Sequence, residues 1–327
     1  MKFAIMFPGQ GSQKVGMGLD LYEKNSLAKE IFSLVNNIVG RNISDVFLHG
    51  PQEELNQTRN TQISIVTISV VLSMLLQEKT KERNFDFNPI ACCGHSLGEL
   101  TALWYLNVLE LEDLLKLVSI RGELMQNAPS GSMAAILNLS TEQIEKLIEN
   151  AIELKDKVVI ANYNSPNQTV VSGNKEAFEK GKLPELVKQI GGKAIILPVS
   201  GAFHSPLMAD PANRFNLELD KAIKHELTPL NTYIYQNYDG LPSNNYAIIK
   251  EKIKKQMTSP VYWTQTINNL VKDNVTNIVE IGPGKVLTGL VQKINPNLEC
   301  FNVYDLESLE NFINVYESKL LKFSKTT

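Results

Sequence analysis

The sequence predicts an α/β protein with a parallel sheet and a small ferredoxin-like subdomain inserted into it. Three observations carry this reading. Short apolar runs alternate with helical patterns on both sides of the middle of the chain, as in a parallel sheet with crossover helices. Two of those runs, residues 3–7 and 90–94, stop abruptly in glycine-bearing loops, as buried strands do. Between residues 129 and 198 the order changes to strand-helix-strand-strand-helix-strand, the ferredoxin-like order. The division expected is a large unit of residues 1–128 and 199–327 and a small one of residues 129–198.

Residues 3–7 form a strand closed by Pro8-Gly9-Gln10-Gly11. Helical patterns follow, including 62–78, and residues 90–94 run straight into Gly94-His95-Ser96-Leu97-Gly98 and a further helix. A helix over 111–127 ends at Pro129-Ser130-Gly131. In the insertion, 132–138 reads as a strand and 140–153 as a helix, with Ser140 and Gln143 forming a capping box. Strands over 157–163 and 168–173 flank the turn Asn164-Ser165-Pro166-Asn167. Helical segments fill 175–190, with Pro184 suited to a first turn, and 193–199 is a strand. Helices over 206–224, 246–257 and 262–272 follow, then a strand over 277–281 that enters Gly282-Pro283-Gly284 and another helix. The basic tail 322–327 is expected to be disordered.

At 327 residues, with 43% hydrophobic and 20% charged residues, the composition is that of a soluble globular enzyme. A net charge of -3 argues against a nucleic-acid binder. The N-terminal apolar run is shorter than the roughly 7–15 residues of a secretory core. The most apolar stretch, residues 63–76, falls short of the ~20 that a span needs and is dotted with Ser and Thr, so it reads as a buried helix and no membrane partner is expected. Three cysteines, two of them the neighbours Cys92 and Cys93, make neither a disulfide framework nor a metal site. A reducing, cytoplasmic compartment and no metal are the expectations.

Gly94-His95-Ser96-Leu97-Gly98 fits the nucleophile elbow, G-x-S-x-G, between a strand and a helix. A sharp turn holds the serine exposed, and the helix start beyond it offers unpaired N–H groups to an oxyanion. The hydroxyl needs a base, and four histidines are available. His95 adjoins the serine and points away, His49 precedes Gly50-Pro51, and His225 sits among charges. His204 follows a strand in a glycine-containing loop, where sheet enzymes gather catalytic groups, and elimination favours it. Arg121 falls inside the apolar stripe Leu114, Leu117, Val118, Leu124 and Met125. A guanidinium facing a core demands an anion. An internal Asp or Glu, escape of the side chain to the surface, or a substrate carboxylate gripped in bidentate fashion all satisfy that demand. Gly9-Gln10-Gly11 lacks the third glycine of a dinucleotide loop, and Gly284-Lys285-Val286 is no phosphate loop.

Together these segments resemble malonyl-CoA:acyl carrier protein transacylases and the related acyltransferase domains of fatty acid and polyketide synthases. The match runs in order through Phe7-Pro8-Gly9-Gln10-Gly11-Ser12-Gln13, Thr61-Gln62, the elbow with Glu99, and Arg121-Gly122. It continues through Asn162-Tyr163-Asn164-Ser165-Pro166, Gly201-Ala202-Phe203-His204-Ser205, Ser259-Pro260-Val261-Tyr262-Trp263 and Gly282-Pro283-Gly284.

The resemblance implies an α/β-hydrolase-like core and a ping-pong cycle without a cofactor. Ser96 attacks malonyl-CoA with His204 as base, and the phosphopantetheine thiol of acyl carrier protein then takes the malonyl group. It places the oxyanion on the N–H groups of Leu97 and Gln10 and the malonyl carboxylate on Arg121. The main-chain carbonyl of Gln256 orients the histidine, Gln62, Asn162 and Ser200 line the pocket, and Phe203 crowds an α-methyl branch. Trp104-Tyr105 departs from the small residues common in the family. Lys252, Lys254 and Lys255 are candidates for the carrier-protein surface, against a solvated helix face. A serine hydrolase sharing the elbow, a polyketide acyltransferase and a non-catalytic scaffold are the competing readings.

Overall fold

A computed structural model describes residues 2–179, 182–223 and 229–323. The larger sheet has six strands in the order β10-β9-β1-β2-β7-β8. These are β1 (Phe3–Phe7), β2 (Ala91–Gly94), β7 (Tyr233–Tyr235), β8 (Pro242–Ser243), β9 (Asn277–Ile281) and β10 (Glu299–Val303). All neighbours run parallel except the last pair, β7 and β8. β1, β2 and β9 are buried at every position, which is why β1 and β2 read as unbroken apolar runs rather than alternating ones; β9 includes the buried polar residues Asn277 and Glu280. Their sheet is mixed α/β with a parallel centre, as expected.

The smaller sheet is wholly antiparallel, in the order β4-β5-β3-β6. Its strands are β3 (Ser132–Leu137), β4 (Val158–Ser165), β5 (Gln168–Gly173) and β6 (Lys193–Ile196). Helices Thr141–Asn150, Lys175–Glu179 and Lys182–Gln189 complete the alternation. The capping box forms: Gln143 N–H donates to Ser140 Oγ at 3.3 Å and Ser140 N–H donates to Gln143 Oε1 at 2.9 Å. Two main-chain seams join this sheet to the larger unit. Gly131 N–H donates to the Ser200 carbonyl at 3.1 Å, while Tyr163 N–H donates to the Val261 carbonyl at 2.9 Å and Val261 N–H to the Ala161 carbonyl at 2.8 Å.

Some boundaries differ from expectation. β6 stops at Ile196 because Pro198, lacking an N–H, cannot extend the ladder. β4 runs through Ser165, leaving only Pro166-Asn167 in the turn. His49 ends the helix Ile43–His49 rather than lying in a loop. The expected helix over 206–224 opens as a 3-10 turn, Pro206–Met208, then continues as Ala209–Ala222. Residue 224, His225 and the end of the tail lie outside the described residues.

The apolar stretch 63–76 belongs to a 25-residue helix, Thr58–Glu82. It is long and apolar enough to cross a membrane, yet 89% of its most apolar window is buried inside the protein. Three of its hydroxyls are satisfied by donating one turn back: Ser64 to Asn60 O, Thr67 to Ile63 O and Ser73 to Ser69 O, each at 2.7 Å, whereas Ser69 Oγ has no partner among the described residues. That local pairing lets Ser and Thr sit in a core without an external partner. Cys92 and Cys93 are fully buried and free, and burial pushes both thiols well up, so they pack as small apolar groups.

Candidate active site

The elbow lies where β2 ends and the helix Leu97–Tyr105 begins. Ser96 takes φ 49° and ψ -101°, a strained conformation for a residue with a side chain. Glycine is required on both sides. A Cβ on Gly94 would sit 2.0 Å from the Gly98 carbonyl carbon, and one on Gly98 would sit 2.0 Å from the Phe7 carbonyl oxygen. His95 N–H donates to that Phe7 oxygen at 3.1 Å, so the loop carrying Gln10 is held alongside the elbow. Leu97, the first residue of its helix, keeps an N–H without an intrahelical partner.

Ser96 Oγ lies 2.8 Å from His204 Nε2. The imidazole is buried, and its Nδ1 faces the carbonyls of Gln256 at 3.0 Å and Ser259 at 3.2 Å. Carbonyls only accept, so Nδ1 carries the ring proton and Nε2 is left to accept from the serine hydroxyl. Gln256 follows the helix Tyr246–Lys255 and opens a 3-10 turn. Burial, followed by the nearby Arg121 guanidinium, lowers His204 to about 3, against the opposing pull of the two carbonyls. The ring is therefore neutral and ready to accept a proton at neutral pH. His95 turns away, 2.8 Å from Asn164 Oδ1.

Arg121 is the charged group at the hydroxyl. It is 1% exposed, and the helix Leu111–Gln126 presents it to the centre because Gly122 allows that helix to touch the helix Thr58–Glu82. A Cβ at Gly122 would lie 2.9 Å from Arg59 Cα. Across this contact Arg121 Nη1 donates to Gln62 Oε1 at 2.8 Å. Nη2 donates to Ser96 Oγ at 3.0 Å and to Gln256 Oε1 at 3.2 Å, and Nε has no partner. No carboxylate among the described residues pairs with it directly. Glu99, the buried acid behind it, is reached only through the Gln256 amide, which donates to Glu99 Oε2 at 2.8 Å. Burial lowers Arg121 to about 10, which leaves the guanidinium charged. Surface escape thus falls away as an account of this arginine, and the internal acid Glu99 supports its charge across the Gln256 amide without bonding to it directly. The result is a fixed positive fork, with neutral partners only, aimed at the nucleophile.

One family match covers residues 5–300: the acyl transferase domain. The chain belongs to the acyl transferase family. Among relatives of this acyl transferase is the malonyl CoA-acyl carrier protein transacylase of Bacillus subtilis, 38% identical over 313 residues, covering 94% of this chain and 95% of that one. The crystal structure of the Synechocystis malonyl-CoA:ACP transacylase has a TM-score of 0.84 at 36% identity, covering 95% of this chain and 100% of that one. A malonyl-transacylase solved in complex with a holo type II PKS acyl-carrier protein has a TM-score of 0.87 at 32% identity, covering 96% and 99%.

Five of the expected residues, Ser96, His204, Arg121, Gln62 and Gln256, form one hydrogen-bonded cluster. Gln10 and Leu97 flank it. Phe203 adjoins His204 and is buried in the main core. Asn162 is buried on β4, while Ser200 is exposed and its carbonyl serves the seam to Gly131. The three lysines considered for docking are each ion-paired: Lys252 with Asp239, Lys254 with Asp220 and Lys255 with Glu251. Trp104 and Tyr105 fill the space behind the elbow, Tyr105 against the Phe7 ring at 5.8 Å. Sequence reasoning missed Asn237 and the role of Glu99. Both sit in segments whose local signals, a turn and a helix start, gave no reason to look further.

Proposed function

We propose that this acyl transferase moves a malonyl group from malonyl-CoA to the phosphopantetheine thiol of acyl carrier protein, supplying malonyl-ACP for fatty acid synthesis. One observation carries the reading: a buried, charged Arg121 with no directly bonded carboxylate among the described residues sits 3.0 Å from a serine hydroxyl that is 2.8 Å from a neutral histidine. An acyl donor ending in its own carboxylate supplies a direct anionic partner.

Ser96 Oγ attacks the thioester carbonyl while His204 Nε2 takes the hydroxyl proton. The negative charge on the former carbonyl oxygen is held by the N–H groups of Leu97 and Gln10. Collapse breaks the carbon–sulfur bond, and the imidazolium returns its proton to the departing coenzyme A thiol. The carrier thiol then gives its proton to His204, attacks the Ser96 ester, and leaves Ser96 as the hydroxyl. Every atom and proton is accounted for without metal or cofactor. Gln62 holds the guanidinium in plane, Gln256 and Ser259 carbonyls hold the imidazole, and Phe203, Asn162 and Ser200 shape the entrance.

The fold reading is supported on two counts. The elbow on a central parallel strand fits an α/β-hydrolase-like core of residues 1–128 and 199–327. The insertion 129–198 has its first and third strands central and antiparallel, the ferredoxin-like arrangement. The free buried cysteines accord with a reducing cytoplasm. A serine hydrolase in the order serine, acid, histidine has less support, since His204 Nδ1 meets two carbonyls rather than an acid.

The test is intact mass after mixing with malonyl-CoA. A malonyl adduct is expected on the wild type, cleared by holo acyl carrier protein faster than by water, and absent from Ser96→Ala. An adduct surviving in Ser96→Ala overturns the assignment.

A further inference from the structure

We propose that Asn237 is a positioning residue, holding Ser96 in its strained backbone through a two-pronged carboxamide clamp across the elbow. The inference rests on Ser96 being the nucleophile. The conformation at φ 49° and ψ -101° is strained and persists only where surrounding structure over-determines it. The glycines permit the bend, but they do not hold it.

Asn237 supplies the hold. Its Oδ1 accepts from Ser96 N–H at 2.6 Å, and its Nδ2 donates to the Gly94 carbonyl at 2.6 Å. One planar amide therefore fastens the last residue of β2 and the nucleophile itself, with His95 arched between them. Asn237 is fully buried and is pinned in turn. Its N–H donates to Glu99 Oε2 at 3.1 Å and its carbonyl accepts from Tyr262 N–H at 2.9 Å. Glu99 also accepts from Gln236 Nε2 at 3.1 Å and Gln256 Nε2 at 2.8 Å. The bracket closes on Ser96 from the other side, because Gln256 Nε2 also donates to the Ser96 carbonyl at 2.8 Å. Both main-chain polar groups of the nucleophile are thus gripped by side-chain amides that share one buried acid. Neither amide donates to or accepts from the imidazole through its side chain, so the effect on chemistry runs through where Oγ points.

The experiment follows Asn237→Ala and Asn237→Asp in the full chain. Asp keeps an acceptor for Ser96 N–H but sets a second oxygen against the Gly94 carbonyl, so it should resemble Ala rather than the wild type. The acylation rate with malonyl-CoA, read by rapid quench and intact mass, should fall roughly 100-fold, the scale of an ångström misplacement. KM should stay within about threefold, and for Asn237→Ala the acid limb of the pH profile should not move, since His204 keeps its partners. Labelling by phenylmethylsulfonyl fluoride, which needs an activated serine but no malonyl recognition, should fall in parallel. If the wild type rejects malonyl-CoA while the sulfonyl label still depends on Asn237, the functional reading fails and the clamp stands. A folded Asn237→Ala that acylates at the wild-type rate, or loses only in KM, overturns the clamp. Should Ala and Asp fail to fold, Asn237→Ser is read by the same two rates, and failure of all three would make Asn237 a folding residue instead.

Discussion

Replacing Arg121 by Ala removes a charged fork whose partners in the free protein are all neutral: Gln62 Oε1 at 2.8 Å, Ser96 Oγ at 3.0 Å and Gln256 Oε1 at 3.2 Å. Two consequences separate cleanly. The two buried amide oxygens lose a donor, which costs about 1–3 kcal/mol each in stability or local order, and every acyl donor suffers it alike. The bond to a substrate carboxylate is lost only by donors that have one. A charged hydrogen bond contributes about 1.5–3 kcal/mol, so kcat/KM for malonyl-CoA should fall a further roughly 10- to 150-fold relative to acetyl-CoA. Measuring both donors by coenzyme A thiol release on the same preparation cancels the shared loss. Arg121→Lys, which keeps a point charge but not the fork, should lie between. Equal losses for the two donors would refute the carboxylate role and leave Arg121 as a structural cation.

Protonation of His204 should govern the acid side of activity. Burial and Arg121 hold the imidazole near 3, so acylation should persist well below pH 6.5, and Arg121→Gln should move the acid limb upward because a repelling charge is gone. The same group makes stability pH-dependent. Between about 3 and 6.5 the unfolded chain binds the proton and the native chain does not, so stability falls as pH drops through that window; His204→Gln should flatten the pH dependence of the urea midpoint there. Phe203→Ser, at a buried ring beside the base, should raise methylmalonyl transfer relative to malonyl transfer. An unchanged ratio would leave that ring as packing.

The parts of the molecule legible in sequence are those where one residue type answers one local demand. β1 and β2 announce themselves because burial on both faces leaves no polar alternation, and the elbow because only glycine fits the contacts at Gly94 and Gly98. β7 and β10 escaped. The first is three residues long, too short for any period, and the second carries Glu299 and Asn302 and is half-exposed at the sheet edge. Arg121 showed itself as a charge in an apolar stripe, but its partners come from residues 62, 96 and 256 and depend on folding. Asn237 lies in Gln236-Asn237-Tyr238-Asp239-Gly240, which carries every mark of an ordinary turn. Nothing local distinguishes an asparagine that closes a turn from one that fastens a nucleophile at the end of the neighbouring strand. The carbonyls that orient His204 belong to the main chain, so no side-chain identity encodes them; the resemblance supplied Gln256, and Ser259 came only from the fold.

The seams between the two sheets have a bearing on where harmful substitutions should fall. Val261 is stitched to Ala161 and Tyr163 only two residues after Ser259, whose carbonyl anchors the imidazole, and Ser200 is stitched to Gly131 four residues before the imidazole itself. The insertion is therefore not a cap that swings on a loose tether. A slip of β4 or a shift of the segment entering β3 tugs both ends of the histidine's mounting, so damage in the small sheet should reach proton transfer.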